Sequence, residues 1–153
     1  MGIFDFLKGS GEEVEVDTGE AVDLELQNLM QGNAIARTVL ALGLPVENLR
    51  VEYADGVATV HGTAPSQADA EKTVLAVGNT KGVAQVDSRL EVVVPAPEAV
   101  MYTVQPGDSL SKIAKAQYGD AMKYGEIFEA NKPMLADPDK IYPGQVLRIP
   151  ALD

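Results

Sequence analysis

The chain has 153 residues, 46% of them apolar, with no cysteine, one histidine and a formal net charge of -11. Lack of cysteine excludes disulfides, thiolate metal sites and cysteine nucleophiles, and a single histidine excludes a multi-histidine zinc site. The length suits one ordinary domain or two small ones, and the acidic balance argues against nucleic acid as a partner.

The charge is concentrated at the start. Residues 1–25 carry eight carboxylates against Lys8, a net of -7, which leaves -4 for the rest. Such a run reads either as a solubilising segment or as a field that gathers cations. The opening Met1-Gly-Ile-Phe-Asp-Phe-Leu-Lys lacks the basic leader, long apolar run and cleavage site of a secretory signal. No stretch approaches the ~20 apolar residues that span a bilayer. The expectation is therefore a cytoplasmic protein with no membrane span.

Residues 3–8 form a short amphipathic element with Ile3, Phe4, Phe6 and Leu7 apolar. Gly9 and Gly11 would end it in the manner of a helix C-terminus. Its large apolar side chains need a docking surface. From Leu24 to Leu42, Leu26, Leu29, Met30, Ala34, Ile35, Val39 and Leu42 recur at three- and four-residue steps, which predicts a helix. Gly43 and Pro45 stop it.

Leu49, Val51 and Tyr53 then alternate with polar or small residues, Asp55-Gly56 gives a hairpin turn, and Val57 to His61 pairs back. Gly62 to Ser66 is expected to break this strand and open a helix lined by Ala68, Ala70, Val74, Leu75 and Val77. Gly78-Asn79 stops the helix, and Val83 to Val94 is a third long strand. His61 reads as a surface strand residue, with neither cysteine nor an acidic cluster to make it a ligand or a base.

This order, helix–strand–strand–helix–strand with Gly62 after the second strand and Gly82-Val83 opening the third, resembles a BON domain over about residues 24–95. BON modules are thought to associate with ligands or phospholipids and carry no catalytic motif. Pro95 to Val100 is a short, semi-rigid linker.

The last fifty residues begin Tyr102-Thr-Val-Gln-Pro-Gly-Asp-Ser-Leu-Ser-Lys-Ile-Ala and end Ile141-Tyr-Pro-Gly-Gln-Val-Leu-Arg-Ile-Pro150. Strands are predicted at 101–104 and 146–149, around one helix capped by Asp108 or Ser109 and closed at Gly119, and a second from Met122 to Ala130. Tyr118, Tyr124 and Phe128 fit the core side of these helices. The layout resembles a LysM module. That resemblance implies a groove for N-acetylglucosamine polymers at Gly107, Asp108, Ser109, Leu110, Ile141, Tyr142, Pro143 and Gly144. The same residues also serve simply to build turns and caps, and this second reading is favoured where no export signal is seen.

The fold class is thus α+β in two small domains: BON (αββαβ, a three-stranded sheet with two helices) followed by LysM (βααβ). Residues 1–23 form an N-terminal amphipathic and acidic segment, 24–95 the BON domain, 96–100 the linker and 101–153 the LysM domain. Met1 to Lys8, Ala76-Val-Gly-Asn79, Ile127-Phe-Glu-Ala-Asn-Lys-Pro-Met-Leu135 and Asp137 to Pro150 together resemble small bacterial cytoplasmic potassium-binding proteins with BON and LysM domains. The resemblance implies a non-enzymatic, monomeric K+ sensor, with a glycan or an unknown protein as a further partner.

Potassium is large and weakly hydrated, and backbone carbonyls can replace its water. Free carbonyls concentrate at helix C-termini, where the dipole is also negative. Two glycine-rich ends offer them, Leu7 to Gly11 and Val77 to Val83. Their convergence would make the carbonyls of Leu7, Ser10, Gly78, Thr80 and Val83 the K+ ligands. An ordinary pair of helix caps is the alternative reading of both.

Overall fold

The computed structural model describes residues 2–6 and 23–152. Helix α1 (Leu24–Ala41) starts at Asp23, whose carboxylate accepts the Leu26 N–H at 2.8 Å. Next come β2 (Glu47–Ala54) and β3 (Val57–Ser66), joined at Asp55-Gly56 with φ of 47° and 80°. Positive φ at both central residues is what a tight hairpin with right-twisted strands requires. Helix α2 (Gln67–Gly78) is capped by Ser66, and β4 (Gln85–Val94) follows.

Two sequence expectations change here. Gly62 does not end the strand: with φ of 149°, β3 runs on to Ser66, because its parallel pairing with β4 continues from Val57 to Ser66. The start of the N-terminal element is a strand, β1 (Gly2–Asp5), while the helix-like end expected at Leu7 to Gly11 lies outside the described residues. It pairs antiparallel with β4, Gly2 opposite Ser88 and Asp5 opposite Gln85. The three expected strands are present, and β1 adds a fourth, giving the order β1-β4-β3-β2 among the described residues.

Both helices lie on one face of this sheet. Ile35 and Val39 of α1, Val74 and Val77 of α2, and Val51, Val60 and Val86 of the strands form its core. The other face carries the polar row Arg50, His61 and Arg89, in cross-strand register. A Cβ on Gly32 would stand 2.5 Å from the Val51 carbonyl oxygen, so glycine is what lets α1 lie against β2.

The second unit pairs β5 (Val100–Thr103) with β6 (Val146–Ile149) around α3 (Leu110–Tyr118) and α4 (Tyr124–Ala130), the latter led by a 3-10 turn at Ala121–Lys123. Ser109, not Asp108, caps α3, and Gly119 closes it in the left-handed region. Leu110, Ile113, Ile127, Leu135, Leu147 and Ile149 make its core, with Tyr118 and Phe128 partly buried against it. Tyr124 stays 41% exposed instead of joining that core.

The two units are packed together. Met134, from the loop before β6, packs on the core of the four-stranded unit. All four residues of β6 are buried. Leu147 and Ile149 face the LysM-type core, while Val146 and Arg148 are covered by α2.

Candidate ion-binding loop and its contacts

The residues from Gly78 to Val83 form the turn between α2 and β4. A helix ends with carbonyls that have no donor four residues on. Here Leu75 O accepts the Asn79 N–H at 2.9 Å, Val77 O the Thr80 N–H at 3.2 Å, and Ala76 O the Thr80 hydroxyl at 3.0 Å. Gly78, the last helical residue, presents its carbonyl in the same turn, at the negative end of the helix dipole. Thr80 is buried, and its carbonyl accepts the Val83 N–H at 3.1 Å. Val83 is fully buried and precedes β4 instead of opening it. Tyr53 steadies the turn from below by donating its hydroxyl to Gly82 O at 2.9 Å.

The N-terminal strand arrives at the same place. Phe6 donates its N–H to Ala84 O at 2.7 Å, and its ring fills the space over Gly78. A Cβ at Gly78 would come within 1.9 Å of that ring, so only glycine allows the two to meet. Gly78, Thr80 and Val83 therefore share one turn, and Phe6, the chain neighbour of Leu7, abuts it. Leu7 and Ser10, the other two expected ligands, lie outside the described residues. Among the described residues no group of three or more His, Asp or Glu side chains gathers.

The turn is also tied to the second unit through Asn79. Its amide nitrogen donates to Val146 O, and Val146 N–H donates to its amide oxygen, both at 2.9 Å. Two helical turns earlier, Glu71 meets Arg148. Arg148 Nε and Nη2 donate to Glu71 Oε1 at 3.0 and 2.8 Å. Glu71 Oε2 accepts the Ala99 N–H and the Gln67 amide at 3.0 and 3.2 Å. Neither contact was foreseen. A signal did exist: position 71 lies three and four residues before Val74 and Leu75, so its carboxylate stands on the apolar stripe of α2.

The groove residues expected to hold a sugar have structural work. Asp108 accepts the Tyr102 hydroxyl at 2.6 Å and the Gln105 N–H at 2.8 Å, and this anchors the turn. These bonds hold its carboxyl below the usual carboxylate range, the Tyr102 bond contributing most, and the same bond raises Tyr102 above its usual value. Ser109 is a cap, Leu110 is core, Gly144 donates its N–H to Val104 O at 2.9 Å, and Ile141 packs beside the core. Gly107 and Pro143 remain exposed. Tyr142 turns toward the other unit and lines a cleft of about 290 Å3 with Thr38, Leu75 and Asn79.

The LysM domain family matches residues 102–150, and the BON domain family matches residues 33–94. A protein of Escherichia coli named potassium binding protein Kbp is 45% identical over 151 residues, covering 98% of this chain and 99% of that protein. This chain belongs to the same family. An uncharacterized protein of Deinococcus radiodurans is 58% identical over 50 residues, 33% of this chain and 19% of its own length. The family's two modules occupy the two packed units described above. Among the described residues, no helix is long and apolar enough to cross a membrane.

Proposed function

We propose that this chain is a non-enzymatic, cytoplasmic K+-binding protein, a monomer that changes conformation when the ion binds. The observation that carries the reading is the near full-length likeness to a protein named for potassium binding. The turn at Gly78 to Val83 supports it, since that turn brings backbone carbonyls and the N-terminal strand to one point.

The carbonyls of Leu7, Ser10, Gly78, Thr80 and Val83 are the proposed ligands. Carbonyls suit K+, whereas Mg2+ keeps its water and prefers carboxylates. The net charge of -11 raises the local cation concentration without choosing among cations. The N-terminal element carrying Ile3, Phe4, Phe6 and Leu7 docks when its carbonyls meet the ion, and binding stabilises the fold by mass action.

The test is thermal melting and small-angle scattering in K+, Na+, Mg2+ and choline chlorides at equal ionic strength. Stabilisation and compaction specific to K+, lost on deletion of residues 2–11, are expected. An identical response to all four salts overturns the reading.

A second reading is a glycan-binding adaptor at the cell envelope, favoured by the LysM match at 102–150 and by the exposure of Gly107 and Pro143. Retention on peptidoglycan separates it from the first.

A further inference from the structure

Strand β6 is paired with β5 on one side only, so the outward N–H and C=O groups of Val146 and Arg148 need other partners. Each pair meets an asparagine amide. Asn131, buried in the same unit, accepts the Arg148 N–H at 2.8 Å and donates to Arg148 O at 3.0 Å. Asn79, from the other unit, does the same for Val146. One amide therefore completes the strand from within its own unit, and the other from the ion turn.

Asn79 lies between Gly78 and Thr80, two of the carbonyls assigned to K+ above. Its backbone (φ -79°, ψ 6°) is held by its N–H bond to Leu75 O. The Gly78 carbonyl shares its peptide plane with the Asn79 N–H, so turning that carbonyl toward an ion disturbs the bond to Leu75 O that holds the Asn79 backbone, and the short side chain has little slack with which to keep both bonds to Val146. Glu71 and Arg148 differ in this respect. They sit two helical turns away, so they strengthen docking in either arrangement of the turn without distinguishing the two.

We propose that Asn79 is the positioning residue through which the LysM unit reads the ion turn, its amide engaging Val146 fully only when the Gly78 and Thr80 carbonyls are in the ion-holding arrangement. The inference rests on the potassium reading. Coupling of this kind is reciprocal: if K+ strengthens docking, docking strengthens K+ binding by the same factor.

The full-length wild type, Asn79→Ala and Glu71→Gln are compared in KCl and choline chloride. Calorimetry gives K+ affinity, and scattering gives the difference in radius between the two salts. Hydrogen exchange of the Ala99 N–H, which donates to Glu71 and so reports docking without touching Asn79, is followed in the wild type and Asn79→Ala.

In the wild type, K+ is expected to raise Ala99 protection by at least ~5-fold, the low end of common coupling factors. Asn79→Ala still binds K+, with affinity reduced by that same factor, but loses the salt difference in Ala99 protection and in radius. Glu71→Gln loosens docking in both salts and keeps the radius difference, a separation that two merely adhesive contacts would not produce. If Asn79→Ala keeps the salt difference, or Glu71→Gln abolishes it, this inference fails while the potassium reading stands. A wild type that does not bind K+ overturns both.

Discussion

Arg148 of β6 places two donors on a single oxygen of Glu71 in α2, across 77 positions of sequence, and both side chains are buried. The remaining groups are also met: Arg148 Nη1 donates to Ala130 O at 3.1 Å, and Glu71 Oε2 holds the linker at Ala99. A buried pair this well bonded stabilises the docked placement of the two units, because a small slide leaves a buried charge unpaired.

Removing one half of the pair is therefore worse than removing both. Glu71→Ala is expected to cost about 3–5 kcal/mol by urea unfolding, since it leaves the guanidinium buried and unpaired. Replacing Glu71 and Arg148 together by Met is expected to recover most of that loss. A double variant as unstable as Glu71→Ala would show that the pair's cost lies in packing and not in charge.

Gly78→Ala puts a methyl into the Phe6 ring. Overpacking of this kind costs about 1–3 kcal/mol, and here the cheapest relief is to lift β1 off the turn. The melting temperature of the variant is expected to lose its K+ dependence. Adding Phe6→Ala removes the clash, so the double variant should melt less far below Phe6→Ala than Gly78→Ala does below the wild type.

The Tyr102–Asp108 bond makes the LysM unit sensitive to pH at both extremes. Asp108 has its pKa lowered, so its stabilisation is present above the ordinary value of 3.8 and is lost as pH falls through the lower folded value. Tyr102 has its pKa raised, so its part is present below 10.0 and is lost as pH rises through the higher folded value. Tyr102→Phe is expected to lower the melting temperature at neutral pH and to flatten its decline in acid. An unchanged acid profile would remove Asp108 from the cause.

Asn131→Ala takes away the donor to Ile127 O and both bonds to Arg148 at a site 1% exposed. At about 1–3 kcal/mol for each buried group left unmatched, a loss on the order of 3 kcal/mol or more is expected. Exchange of the Arg148 amide should accelerate, and near-normal protection there would mean that water replaces the side chain.

Much of this protein is legible residue by residue. The span of α1, the Asp55-Gly56 hairpin, the C-cap at Gly119 and the strands of the LysM unit follow from local chemistry, because a cap or a tight turn is decided by neighbours within a few residues. The Gly78 and Thr80 turn was also visible as a glycine-rich helix end. Tertiary structure decided the rest. Gly62 stays within β3 because its partner, Leu90, lies on another strand. Residues 2–5 become a strand because β4 offers a free edge, and a four-residue segment has no periodicity of its own to announce it. Above all, the two links between the units, Asn79 with Val146 and Glu71 with Arg148, join positions 67 and 77 apart. No local pattern encodes such a distance. Only the packing of α2 on β6 brings those groups together, and only burial makes their bonds strong enough to matter.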